Sequence, residues 1–256
     1  MQARAELYDR DEQSRQLFMY LLGLYGLEPY HRESNVVKEG KPIDYHEDLT
    51  LRLKAGLLVP KEEIQTVADE LQALIDTIGP GHEFTKDEDS RADVLLNVIG
   101  NAGDSSYAPL VERLIRPPWE EQAHDTIVWY ALLVLYSKWQ IPARQYVGEL
   151  PRIIANMGGM AGEIAAKIAV DYLRSNPDKR LLRDLIEIVE NRKIHPVSRY
   201  EAYKALYRLV FDGGGPSEDE DEFWERTKYG RIDLLEVVDP TVLQKAKLGL
   251  RGEEET

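Results

Sequence analysis

EIAAKIAVDYL, residues Glu163–Leu173, sets small and large apolar side chains at the three- and four-residue spacing of one helix face. Three other stretches carry the same arrangement: DVLLNVIGNAGD (Asp93–Asp104), TIVWYALLVLY (Thr126–Tyr136) and YEAYKALYRLV (Tyr200–Val210). With Val98, Ala131, Ala169 and Ala205 taken as equivalent, the separations are 33, 38 and 36 residues, within the range of helical repeat arrays. Between them lie SYAPLVERLI, GELPRIIANM and LLRDLIEIVE, shorter amphipathic segments suited to pair with the recurring helix.

The rest of the chain follows the same period. Ile64, Val67, Ala68, Leu71, Leu74, Ile75 and Ile78 mark one helix face, closed by Gly79 and Pro80. Thr85 with Glu88, and Ser198 with Glu201, have capping-box spacing and are expected to open helices. No series of alternating β-rich segments with hairpin turns occurs, although Asn35–Tyr45 has room for a short extended piece, so the fold is expected to be all-α.

At these repeats the chain resembles the HEAT family of α-solenoids. The residues that carry the resemblance are Pro109 and Pro151 in first helices, Arg91 and Arg199 at the openings of second helices, and the ending IGNAGD, Ile99–Asp104. His124 and Gly162 stand where the family has arginine, and the resemblance covers about half the chain. It implies a right-handed α-solenoid of stacked helix pairs over 86–212. Helical caps would follow at 1–85, with a long polar loop at 26–47, and at 213–256, where Gly213–Pro216 and an acidic run precede the last helical segment.

Composition narrows the function classes. The chain of 256 residues has no cysteine, which removes disulfides, thiolate zinc sites and cysteine nucleophiles. The polar start MQARAELYDRDEQSRQ lacks the basic and apolar parts of a signal peptide, and a cytoplasmic location is expected. The longest apolar run, Ile127–Tyr136, is too short to span a bilayer and reads as a buried helix. With 46 acidic and 32 basic residues the net charge is −14, which repels a phosphate backbone and suits a basic protein partner better than nucleic acid.

No catalytic constellation emerges. His31, His46, His82, His124 and His195 lack the spacing of metal sites, and the cluster Asp44, His46, Glu47 and Asp48 reads as an ordinary helix start. NMGGMAG, Asn156–Gly162, precedes a helix whose free N–H groups would accept an anion, but it lacks a P-loop lysine and hydroxyl, and a tight turn with positive φ accounts for Gly158 and Gly159. The run Glu218–Glu222 lacks the pattern of an EF-hand loop, and no GxSxG occurs. Neither metal nor cofactor is expected.

The candidate site is therefore a surface. The second helices of a solenoid line its concave face, so repeat register places Tyr203 beside Lys167 and Trp129, and Tyr207 beside Asp171, with Glu163 and Tyr200 on the same face. Tyr and Trp are enriched at protein interfaces, which makes this set a candidate partner-binding groove. The expected function is a protein-binding module, for which the family resemblance also admits an immunity or antitoxin-type inhibitor. The same resemblance implies alternatives: a groove enzyme of the alkylpurine DNA glycosylase or phycobilin lyase type, or a structural subunit of a larger complex.

Overall fold

The computed structural model describes residues 59–77, 85–117, 125–211, 223, 225 and 232–251. The N-terminal loop, the acidic linker, Trp224 and the four histidines other than His195 lie outside them, as does most of the expected N-terminal cap. The described residues are all-α, with no strand, and none of their helices is long and apolar enough to cross a membrane. The chain divides into two compact units, Met1–Thr77 with Thr85–Leu110, and Ile78–Phe84 with Val111–Thr256.

In the first unit, α1 (Lys61–Thr77) buries Ile64, Val67, Ala68, Leu71, Leu74 and Ile75 along one face and packs against α2 (Lys86–Ala102). The expected capping box opens α2: the Glu88 N–H donates to Thr85 Oγ1 at 3.2 Å, and the Thr85 N–H donates to Glu88 Oε2 at 2.9 Å. Each bond satisfies a donor that the helix itself leaves unpaired. After α2, Asp104 caps a 3-10 turn at Ser105–Tyr107, and α3 (Ala108–Glu112) runs into another at Arg113–Ile115.

The second unit holds α4 (Asp125–Leu133), extended by a π-helical turn at Val134–Lys138, then α5 (Leu150–Met157), α6 (Gly159–Ser175), α7 (Lys179–Glu190) and α8 (Pro196–Val210). Short α9 (Leu234–Val237) and α10 (Pro240–Arg251) follow. Helix α5 pairs with α6 and α7 with α8, while α6 also lies between α4 and α8. Within this unit the recurring helices α4, α6 and α8 thus touch in order, and the shorter α5 and α7 back α6 and α8. Ala131, Ala169 and Ala205 are all 0% exposed, as is Val98 in the first unit, so the positions aligned by spacing are the core positions.

Helix α8 differs from its sequence reading. It opens at Pro196, behind His195, whose Nδ1 accepts the Val197 N–H at 3.3 Å. Proline suits a first helical position because its φ is already helical and it has no N–H to satisfy. Ser198 and Glu201 consequently lie inside the helix, buried, with Glu201 bonded to Lys204 at 2.8 Å instead of closing a capping box.

The covering of α8 comes from its own chain. The Phe223 ring stacks on Tyr200 at 3.9 Å between centroids, the Asp239 N–H donates to the Tyr203 hydroxyl at 3.2 Å, and Asp233 accepts from Arg199 at 2.9 Å. Helix α10 packs on α7 and α8, with Lys247 bonded to Glu190 at 2.6 Å.

Candidate functional site

The turn that positions the outward face of α6 is built from two glycines and one carboxylate. Gly158 has φ +59 and Gly159 φ +44, the left-handed region in which a side chain is strained. The Met160 and Ala161 N–H groups donate to Asp125 Oδ2 at 3.0 Å and Oδ1 at 2.9 Å. The anion-accepting end of α6 is thereby filled by a carboxylate from the start of α4, and a Cβ on Gly159 would stand 2.9 Å from Asp125 Oδ2. The tight turn of the sequence reading is present, and the N–H groups that would have received a separate anion are taken by the chain's own Asp125.

Beyond that turn, α4, α6 and α8 enclose a groove of about 440 Å³. Trp129 lines it from α4 and Arg208 from α8; the outward side of α6 supplies Met160, Glu163, Ile164, Lys167, Val170, Asp171 and Arg174. Four of the expected site residues, Trp129, Glu163, Lys167 and Asp171, therefore meet here. Met160 is 43% exposed, an uncovered apolar side chain at the same end of α6 as Glu163.

Asp171 is the centre of the groove's polar network. Tyr136 Oη donates to its Oδ2 at 2.5 Å, Lys167 Nζ donates to the same oxygen at 2.9 Å, and Arg174 Nη1 stands 3.9 Å from Oδ1. Burial disfavours the Asp171 charge, but the bonds from Tyr136 and Lys167 and the nearby cations outweigh it and hold the carboxyl below its ordinary range. Burial, reinforced by the bond to Asp171, pushes the Tyr136 phenol up to about 12. Lys167 also lies 5.1 Å from the Tyr136 ring centroid, and Arg174 Nη2 donates to the Arg208 backbone carbonyl at 3.3 Å.

The expected tyrosines are placed differently. Tyr200 and Tyr203 are 2% and 4% exposed, held beneath Phe223 and the start of α10, so in this arrangement neither offers a surface to a partner. Tyr207 is half-buried, its ring 4.7 Å from that of Phe211, and it does not line the groove. In their stead the groove contains Met160, Arg174 and Arg208, with Tyr136 beneath. A signal for two of these was present, because Tyr136 and Arg174 each follow an equivalent alanine, Ala131 and Ala169, by five residues.

Charge is also distributed unevenly. Residues 125–211 carry 13 Lys and Arg against 9 Asp and Glu, within a chain that has 32 against 46. The acidity that favours a basic partner lies outside these helices. Among the described residues no group of three or more His, Cys, Asp or Glu side chains stands close enough to hold a metal ion. No family model, curated protein or solved structure matches the chain.

Proposed function

We propose that the chain is a protein-binding module in which α4–α8 form a HEAT-like right-handed α-solenoid, the segment from Phe223 to α10 caps its end, and the α4–α6–α8 groove receives the partner. One observation carries the reading: the groove places an exposed methionine and a half-buried tryptophan beside a ring of positioned charges. Apolar anchors within a polar rim are what protein interfaces use, since the anchors gain from desolvation and the charges select the partner. A basic partner remains a proposal for the acidic ends of the chain. It is not supported at this groove, where three cations face two carboxylates.

Capture of the tagged full chain from cells that express it natively tests the reading, with Met160→Glu and Lys167→Glu as controls. Both side chains are more than two-fifths exposed, so the variants are expected to fold. A stoichiometric partner that co-elutes with the wild type and is lost with both variants is the expected result. A partner retained equally by the variants, or none at all, would remove the groove from the proposal.

A further inference from the structure

We infer that the segment received by the groove is acidic: an apolar side chain seated between Trp129 and Met160, and a carboxylate held at Arg174 and Arg208. This rests on reading the groove as a docking surface and adds the chemistry of what docks. The groove has two unlike ends. Trp129, Met160 and Ile164 make one end apolar, while Lys167, Arg174 and Arg208 gather at the other, around Asp171.

The cations at that end are not cancelled. Asp171 offsets one of them; its Oδ2 is taken by Tyr136 and Lys167, and its Oδ1 stands 3.9 Å from Arg174. Arg174 and Arg208 occupy the last turns of α6 and α8, where each helix end contributes about half a negative charge. Three cations against one carboxylate and two helix ends leave about one positive charge over. Glu163 stands one helical turn from Lys167, but eleven residues of helix separate it from Arg174, about 16 Å at 1.5 Å per residue and twice the screening length of roughly 8 Å at physiological salt, so it leaves the arginine end of the groove positive.

Donors remain as well as charge. The Arg174 guanidinium is 41% exposed, gives Nη2 to the Arg208 carbonyl and only approaches Asp171, and the Arg208 guanidinium has no partner among the described residues. Guanidinium forks match a carboxylate in two parallel bonds. At the other end, the Glu163 carboxylate disfavours a second anion, which assigns the carboxylate of the segment to the arginine end. From Ile164 to Arg174 the groove runs about 15 Å, so in an extended chain of about 3.4 Å per residue the apolar residue and the carboxylate stand four to five positions apart.

The test pans a random dodecapeptide phage library against the immobilised full chain and measures selected peptides by fluorescence anisotropy on the wild type and on R174E/R208E. Circular dichroism melts verify folding. Should the double variant unfold, Arg208→Ala replaces it, with Arg208→Lys as the charge-retaining control. The expected peptides carry Asp or Glu four to five residues from a large apolar residue, weaken at least about tenfold on the variant, and weaken with added salt. Peptides rich in Lys or Arg that weaken on Met160→Ala and Glu163→Gln would overturn the acidic inference while leaving the docking groove intact. Acidic peptides indifferent to the arginines, or a single-stranded RNA dodecamer that binds tighter through the same arginines, would also overturn it. Selection of no groove-dependent peptide would count against inference and groove together.

Discussion

Asp125 spends both carboxylate oxygens on the first free N–H groups of α6 while its own backbone begins α4. A carboxylate at a helix N-terminus satisfies orphan donors and opposes the positive end of the dipole. Asp125→Ala is therefore expected to lower stability by about 1–2 kcal/mol in urea or thermal unfolding, and Asp125→Asn, which keeps one acceptor oxygen, by less. Equal losses for the two variants would mean that the shape and the single acceptor oxygen kept by asparagine contribute nothing, and that the hold depends on the charge or on both oxygens together. The glycines of this turn were legible because positive φ leaves a mark on composition. The carboxylate was not, since it comes from 35 residues earlier and no local pattern announces it. Trp129, Glu163, Lys167 and Asp171 were legible for the opposite reason, because repeat register alone brings them to one face. Tyr200 and Tyr203 share that register but are covered, and register says nothing of what the chain lays over a face.

At the scale of elements, the recurring helices could be read from small residues that recur at one depth. Ala131, Ala169 and Ala205 let neighbouring helices approach, and their full burial follows from that role. Helix α8 misled because it is buried almost throughout from Ser198 to Leu206, so its apolar side no longer distinguishes the two faces. The exit from α4 was not legible either. Its last turn widens to a π-helix, the Ile141 N–H reaches back to the Leu135 carbonyl at 2.8 Å, and Gln140 takes φ +53. A residue with a Cβ pays roughly 1 kcal/mol or more for that left-handed conformation, and glycine does not. Gln140→Gly is expected to leave stability unchanged or raise it by up to about 1 kcal/mol, despite the greater freedom glycine gives the unfolded chain. A clear fall in melting temperature would show that the Gln140 side chain supports the turn.

For the second unit as a whole, the segment from Phe223 to α10 decides which surfaces remain open. Phe223 is 2% exposed on Tyr200, a burial whose loss typically costs about 3–5 kcal/mol, so its ring belongs to the folded core. The segment's polar hold is Asp233, which accepts from Arg199 at 2.9 Å, pairs with Arg192 at 2.6 Å and caps α9 through the Leu235 N–H at 3.1 Å. Burial opposes the Asp233 charge, yet the Arg199 bond, the Leu235 N–H and both guanidiniums prevail and depress its pKa. A depressed carboxylate stabilises the fold fully above its unfolded value of about 3.9, and that contribution disappears as pH falls through the folded value. Asp233→Asn should therefore melt below the wild type at pH 7, and the gap should close as the pH is taken below about 4. Arg199 explains why the gap at neutral pH should be clear: it is only 4% exposed, and without the Asp233 charge its guanidinium is left to the Val189 carbonyl at 2.9 Å. A gap that stayed constant from pH 7 to pH 3 would mean that Asp233 holds the segment through its hydrogen-bond geometry, which asparagine partly keeps, and that its charge contributes nothing.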